Sequence, residues 1–518
     1  MELHGNICNQ VDGFDVNVDD RSRGTVSSTP IQQFYKNRSI FVTGGTGFLG
    51  KVLIEKLLRG CPGVSRIFVL VREKKGKTVD ERMRELLDNS VFDAHRRDAR
   101  KLQKLRGIAG DCQRRNLGIA DDDMDLLKEQ VSVVFHVAAT VRFDENLSAA
   151  FATNVRSTSN VVDLCKNMKN LKSFVHVSTL YANCFAANVQ EAFHDYSIGH
   201  KQLQLLIDGL PEKLIDAITP QLIKPWPNTY TFSKALAEDL VRETCAQLPV
   251  GIFRPGIVSP SACEPTPGWI DNYTGFAGVV ASVAGGLMRV GYCDPRSLVN
   301  VVPVDLTVNA IIACAWATAT RTDRGENILI YNFTSTNDAP IAWNQVKKYM
   351  VKYINEYPSM NTLWCAIFQL TKRHWLYNLY IFLLHLMPAY CIDVAIRAIG
   401  QKSRLLTAYD KLHTMVDLVY YFSTNIWLYK DENVHDLWDQ LDPRDQQIFQ
   451  FSMLNFDWEN YIANCIKGVR VFLFKDDLIT LEQSRIKYKR FLWIHQIMVA
   501  SLIGFMCWVL YKVILILF

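Results

Sequence analysis

With 518 residues the chain exceeds what one small core organises, and two or three structural units are expected. Its 49% hydrophobic and 21% charged residues are those of an ordinary globular protein, and a net charge of +5 over this length gives no reason to expect nucleic acid as a partner. Thirteen scattered cysteines without a C-x-x-C pair argue against a disulfide framework or a thiolate zinc site.

The chain opens on a polar, acidic stretch with no secretory signal, and residues 1–30 read as a mobile leader. From Arg38 to about Asn332, short β-branched runs alternate with helical segments. The runs are "SIFVTGG", "RIFVLVR", "VSVVFHVAA", "LKSFVHVST" and "VGIFRPGIV". Near-continuous apolar strands alternating with helices predict an α/β domain, a doubly wound parallel sheet covered on both faces.

The first run leads into "TGGTGFLGKVLIEKLL", where Gly44, Gly47 and Gly50 stand at G-x-x-G-x-x-G spacing between a strand and an amphipathic helix. Such a turn brings backbone close to a pyrophosphate and aims a helix N-terminus at it. Thr46, Phe48 and Leu49 complete this candidate dinucleotide-binding set. About twenty residues on, where NAD enzymes place an acid, the chain has Arg72 at a strand end, followed by Glu73, Lys74 and Lys75. A cationic fork there predicts NADPH, whose 2′-phosphate it pairs bidentately.

The basic run "HRRDARKLQKLRG" reads as a solvated helix face rather than a site for the phosphates of coenzyme A. His136 and His176, inside apolar strands, read as satisfied core residues. No His/Cys/carboxylate group has metal spacing, and no metal is expected.

"SFVHVSTLYAN" puts a hydroxyl, Thr179 or its neighbour Ser178, at the carboxyl end of a later strand. Downstream, "NTYTFSK" holds Tyr230 and Lys234 one helical turn apart, and of twenty tyrosines only this one has lysine four residues on. Together they form a set in which tyrosine donates the proton, the ammonium tunes it and can hold the nicotinamide ribose, and the hydroxyl bonds the substrate oxygen. The fifty or so residues between Thr179 and Tyr230 read equally as part of an acyl channel or as a surface elaboration.

After about Asn344 strand signals disappear and long helical patterns follow. Residues 376–396 are apolar enough for a membrane candidate, but His385, Pro388 and Asp393 favour a membrane-facing or core hairpin over a span. Residues 491–518 carry Lys512 as their only formal charge, longer than the ~20 residues that cross a bilayer. The basic "RIKYKR" before them predicts a cytosolic flank and a tail-anchored protein.

The motifs "TGGTGFLGK", "HVAATVRFDENL", "VHVSTLYAN", "YTFSK" and "RPGIV" resemble the extended short-chain dehydrogenase/reductases. With "TPGWIDNYTG", "VNVVPVDLTVNAII" and "FSMLNFDWENYI…GVRVFLFKDD" they resemble, more narrowly, the fatty acyl-CoA reductases, which make long-chain alcohols for waxes and ether lipids. The resemblance implies catalytic Thr179, Tyr230 and Lys234. It places Asp111 by the adenine, Ala138 and Ala139 along the cofactor, and Pro255, Gly256 and Ile257 at the nicotinamide.

It further implies a Rossmann reductase domain over 31–344, a helical domain over 345–490 and an anchor over 491–518. The implied reaction is reduction of long-chain acyl-CoA to primary alcohol with NADPH, on the cytosolic face of endoplasmic reticulum or peroxisome. The rival readings are a membrane-bound sterol or hydroxysteroid dehydrogenase and a catalytically idle scaffold on a reductase fold. The pattern carries no oligomeric signal. The chain departs from its relatives at Gly256, where serine is more frequent, and in "QEAFHDYSIGHKQ", which lacks a proline-rich turn.

Overall fold

A computed structural model describes residues 28–74, 76–321, 327–401 and 405–517. Most of the expected leader and Lys75 lie outside the described residues. Contacts divide the chain into two units, each built from three stretches: Met1–Pro267 with Val299–Pro340 and Ile426–Asp457, and Gly268–Leu298 with Ile341–Asn425 and Trp458–Phe518. The succession expected from the sequence, with a change near 344, follows secondary-structure type; contacts group the residues differently.

The first unit is built on seven parallel strands: β1 (Ser39–Thr43), β2 (Arg66–Val71), β3 (Leu105–Ala109), β4 (Val131–His136), β5 (Ser173–Val177), β6 (Val250–Pro255) and β7 (Leu329–Phe333). Their order is β7-β6-β5-β4-β1-β2-β3. The direction of winding reverses between β1 and β4, and the crevice outside their carboxyl ends is where such sheets take ligands.

β1, β4, β5 and β6 are buried at every position, which is why they read as apolar runs. β3 closes one edge of the sheet and is mostly exposed or half-buried, with Arg106 and Gly107 where an inner strand would carry β-branched residues. Helix α1 (Phe48–Gly60) follows β1, α2 (Thr229–Thr244) precedes β6, and α3 (Val304–Thr320) precedes β7.

Residues Ile426–Asp457 complete this unit. Leu428–Tyr429 pairs in parallel with Asn188–Val189, and helix Glu432–Asp439 packs against β7. Side-chain amides fasten the segment: Asn332 Nδ2 donates to the Lys430 carbonyl at 2.7 Å and Asn433 Nδ2 to the Ile330 carbonyl at 2.8 Å.

The second unit is mainly helical, with Trp343–Glu356 packed on Trp458–Gly468. Its tightest approach is between two glycines. Gly268 holds φ +75°, and a Cβ on Gly468 would lie 1.8 Å from the Gly268 carbonyl oxygen. Arg470, from the "GVRVFLFKDD" motif, is buried and structural, donating to the Asp477 carbonyl at 2.8 Å and Thr480 Oγ1 at 2.6 Å, with Asp476 Oδ1 at 3.4 Å. Two helices of this unit, His374–Ala398 and Leu478–Ile516, are long and apolar enough to cross a membrane.

Candidate active site

The glycine turn joins β1 to α1 at the winding reversal. Gly44 takes φ +75°, and a Cβ there would meet the Ala138 backbone nitrogen at 2.6 Å. The turn after β4 therefore lies directly against the glycine turn, bringing Ala138 beside Gly44. A Cβ on Gly50 would lie 2.3 Å from the Gly44 carbonyl oxygen, so only glycine lets α1 start so close to β1. Gly47 caps α1 with no side chain bonded to the helix end, and this N-terminus with a flat backbone approach fits the pyrophosphate of a dinucleotide.

At the next strand end Arg72 Nη1 lies 3.5 Å from Asp111 Oδ2, and its side chain is 48% exposed. The two residues expected near the adenosine half of a cofactor thus sit together, at the ends of β2 and β3. A second guanidinium, missed by the sequence reasoning, joins them. Arg82, in the helix Val79–Leu87, donates to the Arg72 carbonyl and places Nη2 3.4 Å from Thr46 Oγ1. It stands ten positions after Arg72, in the helix that follows β2, and nothing in its local pattern singles it out.

Thr179 follows β5, and its Oγ1 accepts from the Tyr181 N–H at 3.3 Å. Asn228 Oδ1 accepts from the Thr231 N–H at 2.9 Å, fixing the start of α2 and presenting Tyr230 in its first turn. The Tyr230 phenol lies beside the Thr179 hydroxyl, near enough for that hydroxyl to favour its ionised form. Its ring stacks on Phe143 with centroids 5.6 Å apart. Burial pushes the phenol up to about 12, against the opposing effect of Thr179.

Lys234, one turn on and 2% exposed, donates from Nζ to the Val177 carbonyl at 2.6 Å. Burial pulls its ammonium down to about 8, with Glu238 acting the other way. The structure thus brings Thr179 and Tyr230 side by side, while Lys234 is held by the end of β5.

The sequence left Ser178 open as the alternative hydroxyl. Ser178 instead donates to Glu238, which is paired with Arg254 at 2.5 Å, so its hydroxyl serves the core. Pro255 ends β6, and the Ile257 N–H donates to the Asn300 carbonyl at 2.9 Å. A Cβ on Gly256 would lie 2.6 Å from Asn300 Oδ1, so the amide of Asn300 occupies the space a serine would need.

His136 is a satisfied core residue, its ring nitrogens 2.7 Å from Thr43 Oγ1 and 3.0 Å from Thr158 Oγ1. His176 differs from expectation: it is fully buried, and neither ring nitrogen has a hydrogen-bond partner among the described residues. Burial, and then the nearby Lys234, hold both imidazoles well below their usual range, so both are neutral.

The basic run at 95–107 does not converge on one point. His95 is buried 3.2 Å from Glu55, Arg96 faces Asp93 at 3.0 Å, and Arg106 faces Asp123 at 2.6 Å. The structure also gathers His200, Asp239 and Glu243, a group that sequence spacing did not show. His200 Nδ1 lies 2.9 Å from Asp239, and Lys201 lies 2.6 Å from Glu243. In the segment between Thr179 and Tyr230, Trp226 donates to the Ala182 carbonyl at 2.6 Å and packs on Phe185, Tyr196 and Phe232.

Comparison with known proteins agrees with this architecture. Two family profiles, both described as male sterility protein, match residues 42–311 and 384–476, the first an NAD-binding domain. Fatty acyl-CoA reductase wat of Drosophila melanogaster is 37% identical over 484 residues, 93% of each chain. Fatty acyl-CoA reductase 1 of Mus musculus is 36% identical over 456 residues, 88% of each.

Among solved structures, the terminal R domain of the myxalamid PKS-NRPS pathway superposes with TM-score 0.57 at 18% identity, covering 85% of this chain and 92% of that one. The reductase domain of a nonribosomal peptide synthetase from Mycobacterium tuberculosis gives 0.56 at 18%, covering 84% and 92%. These structures share the fold. The extent and identity of the sequence matches go further: the chain belongs to the fatty acyl-CoA reductase family.

Proposed function

We propose that the chain reduces long-chain fatty acyl-CoA to the primary alcohol, releasing coenzyme A and consuming two NADPH. The observation that carries this reading is the placement of Tyr230 beside Thr179, with Lys234 one turn away and bonded to the Val177 carbonyl at the carboxyl end of β5. A nicotinamide dinucleotide held by the Gly44–Gly50 turn and Lys234 would supply hydride to the thioester carbonyl. Thr179 and Tyr230 both present hydroxyl groups to the carbonyl oxygen, stabilising negative charge as it develops. With its phenol raised to about 12, Tyr230 stays protonated at neutral pH and passes its proton to that oxygen. The resulting hemithioacetal expels coenzyme A as a thiol. The aldehyde left in the site meets the same two hydroxyls for its own reduction.

Supporting NADPH over NADH are two guanidinium groups at the end of β2: Arg72, which faces Asp111 at 3.5 Å, and Arg82, which donates to the Arg72 carbonyl and lies 3.4 Å from Thr46 Oγ1. Replacing either with Ala is expected to raise the Kd for NADPH at least about tenfold, the loss of one charge-assisted phosphate contact, and to leave NADH almost unchanged. Isothermal titration with both cofactors checks this; equal losses for the two would remove the assignment.

Lys234 gives the reaction a basic limit. Its ammonium, lowered to about 8 by burial, is charged below that pH and lost above it, so kcat/KM should fall as pH rises through about 8. In Lys234→Arg the charge does not titrate, and the residual activity should lose this limb. An unchanged profile in that variant would assign the limb elsewhere.

The reductase chemistry then falls to 31–344, a helical part to 345–490 and an anchor to 491–518; the apolar Leu481–Leu517 helix and the basic stretch before residue 491 support a site on the cytosolic face of endoplasmic reticulum or peroxisome. Incubating membranes bearing the protein with NADPH and palmitoyl-CoA tests the activity. Hexadecanol is the expected product. Aldehyde alone would revise the reading to a single reduction, and no acyl-CoA-dependent NADPH oxidation would overturn it.

A further inference from the structure

The helix His374–Ala398 has its polarity turned inside out. It runs as three consecutive segments, with π-helical turns over Ile381–Leu386 between His374–Tyr380 and Met387–Ala398. The face turned into the second unit carries Tyr377, His385 and Asp393, each at most 4% exposed. The opposite face carries Trp375, Leu379, Phe382, Leu383, Tyr390 and Val394, 40% to 64% exposed. A helix solvated by water puts its ionisable groups outward. One solvated by hydrocarbon turns them inward and pairs them, as here.

The neighbouring helix decides between crossing a bilayer and lying along it. Helix Leu405–Thr424 packs beside the first, with His413 Nε2 3.0 Å from His385 Nδ1 and the Tyr409 ring stacked 4.7 Å from His385. The Arg289 backbone N–H donates to His385 Nε2 at 3.0 Å, so the His385 proton is on Nδ1 and is donated to His413. This contact ties the middle of one helix to the middle of the other. Yet the second helix exposes Asp410, Lys411, Thr414 and Asp417. A spanning first helix would draw those groups into hydrocarbon, where charged side chains are excluded unless paired inward.

We propose that His374–Ala398 lies in the plane of a bilayer interface, with its Phe382–Tyr390 side among the upper acyl chains and its neighbour on the aqueous side. The occupant of the apolar face is lipid, and the inference rests on the membrane-anchored reading above. The same unit carries the Leu481–Leu517 helix, whose side chains over 493–516 are mostly apolar and exposed, with His495, Gln496, Ser501 and Lys512 the polar ones among them, so the unit already has a second element suited to hydrocarbon. Exposed Arg373 and Arg397 bracket the apolar face and suit anionic headgroups at both ends. With 25 residues, the helix offers a strip about 37 Å long at 1.5 Å per residue. Such a helix is a second, non-spanning membrane contact, and its depth governs how a membrane-dissolved substrate meets the unit that carries it.

Two measurements on the full chain test this. First, glycosylation acceptors with short spacers are inserted after Gly400 or added after Phe518, and each chain is expressed in microsomes. Modification after Phe518 only is expected. Modification after Gly400 would show that the helix crosses and would overturn the proposal; absence of modification after Phe518 would overturn the anchor reading on which it rests. Second, a photo-cross-linking benzoyl-phenylalanine replaces Phe382, Tyr390 or Thr414, and the protein is reconstituted in phosphatidylcholine–phosphatidylserine vesicles with radiolabelled phosphatidylcholine. Lipid adducts at the first two positions should exceed those at Thr414 at least about fivefold, as for a helix with one face immersed. Equal yields at all three, or adducts to a second copy of the chain, would overturn it.

Discussion

Replacing Tyr230 with Phe is expected to lower kcat for alcohol formation by about 10²- to 10⁴-fold, the range for loss of a positioned proton donor, and to leave NADPH affinity within about twofold. The substitution removes one oxygen and little else. The aromatic ring still stacks on Phe143, and α2 keeps its Asn228 cap, so the site's frame persists. What disappears is the phenol hydroxyl beside Thr179. Thr179→Val, which keeps the side-chain volume, should cost less, because the proton donor Tyr230 would remain facing the carbonyl oxygen. Single-turnover product analysis beside fluorescence titration of NADPH separates the two quantities. A Tyr230→Phe enzyme keeping a tenth or more of the rate would remove Tyr230 as the donor.

The second large effect is on stability. Arg254→Leu is expected to destabilise the first unit by about 3–5 kcal/mol, the usual result of stranding one member of a buried ion pair. Arg254 and Glu238 are both fully buried, with Nη2 to Oε2 at 2.5 Å and Nε to Oε1 at 2.9 Å. Arg254 also donates to the carbonyls of Gln190 and Ala192 at 2.9 and 3.0 Å. Its loss leaves a carboxylate and two carbonyls in the core without those donors. The double variant Arg254→Leu/Glu238→Leu should recover part of the loss, since no charge is then stranded. Thermal unfolding of the detergent-solubilised chain measures both. A single variant within about 1 kcal/mol of the parent would mean that water reaches the pair. Because Ser178 bonds Glu238 and precedes Thr179, activity should fall with stability in the single variant.

The sheet was legible where strands are buried on both faces, since burial selects the β-branched runs of β1, β2, β4, β5 and β6. β3 escaped because an edge strand has no such requirement and carries Arg106 and Gly107. In the site, Gly44, Thr179, Tyr230 and Lys234 stand in local patterns tied to a strand end or a helical turn, and their placement follows from the fold once its strands are known. Arg82 was hidden because what marks it is a contact with Thr46, thirty-six positions away, that no local pattern encodes. His176 was hidden for another reason: an apolar strand context announces that a histidine is buried, but whether its nitrogens find partners is a property of the packed interior. The stretch 426–457 reads as more helix among helices, and nothing local reveals that Leu428–Tyr429 pairs with residues some two hundred and forty positions earlier.

That pairing limits how the protein can be cut and inherited. A chain ended near 344 would keep every candidate catalytic and cofactor residue yet lose the strand beside Asn188–Val189 and the Glu432–Asp439 helix that packs on β7, leaving an unprotected sheet edge open to aggregation. The reductase portion therefore cannot be passed between proteins by end-to-end fusion, as an independent module can. Its late segment lies between two stretches of the other unit, so a fusion junction near 344 interrupts both.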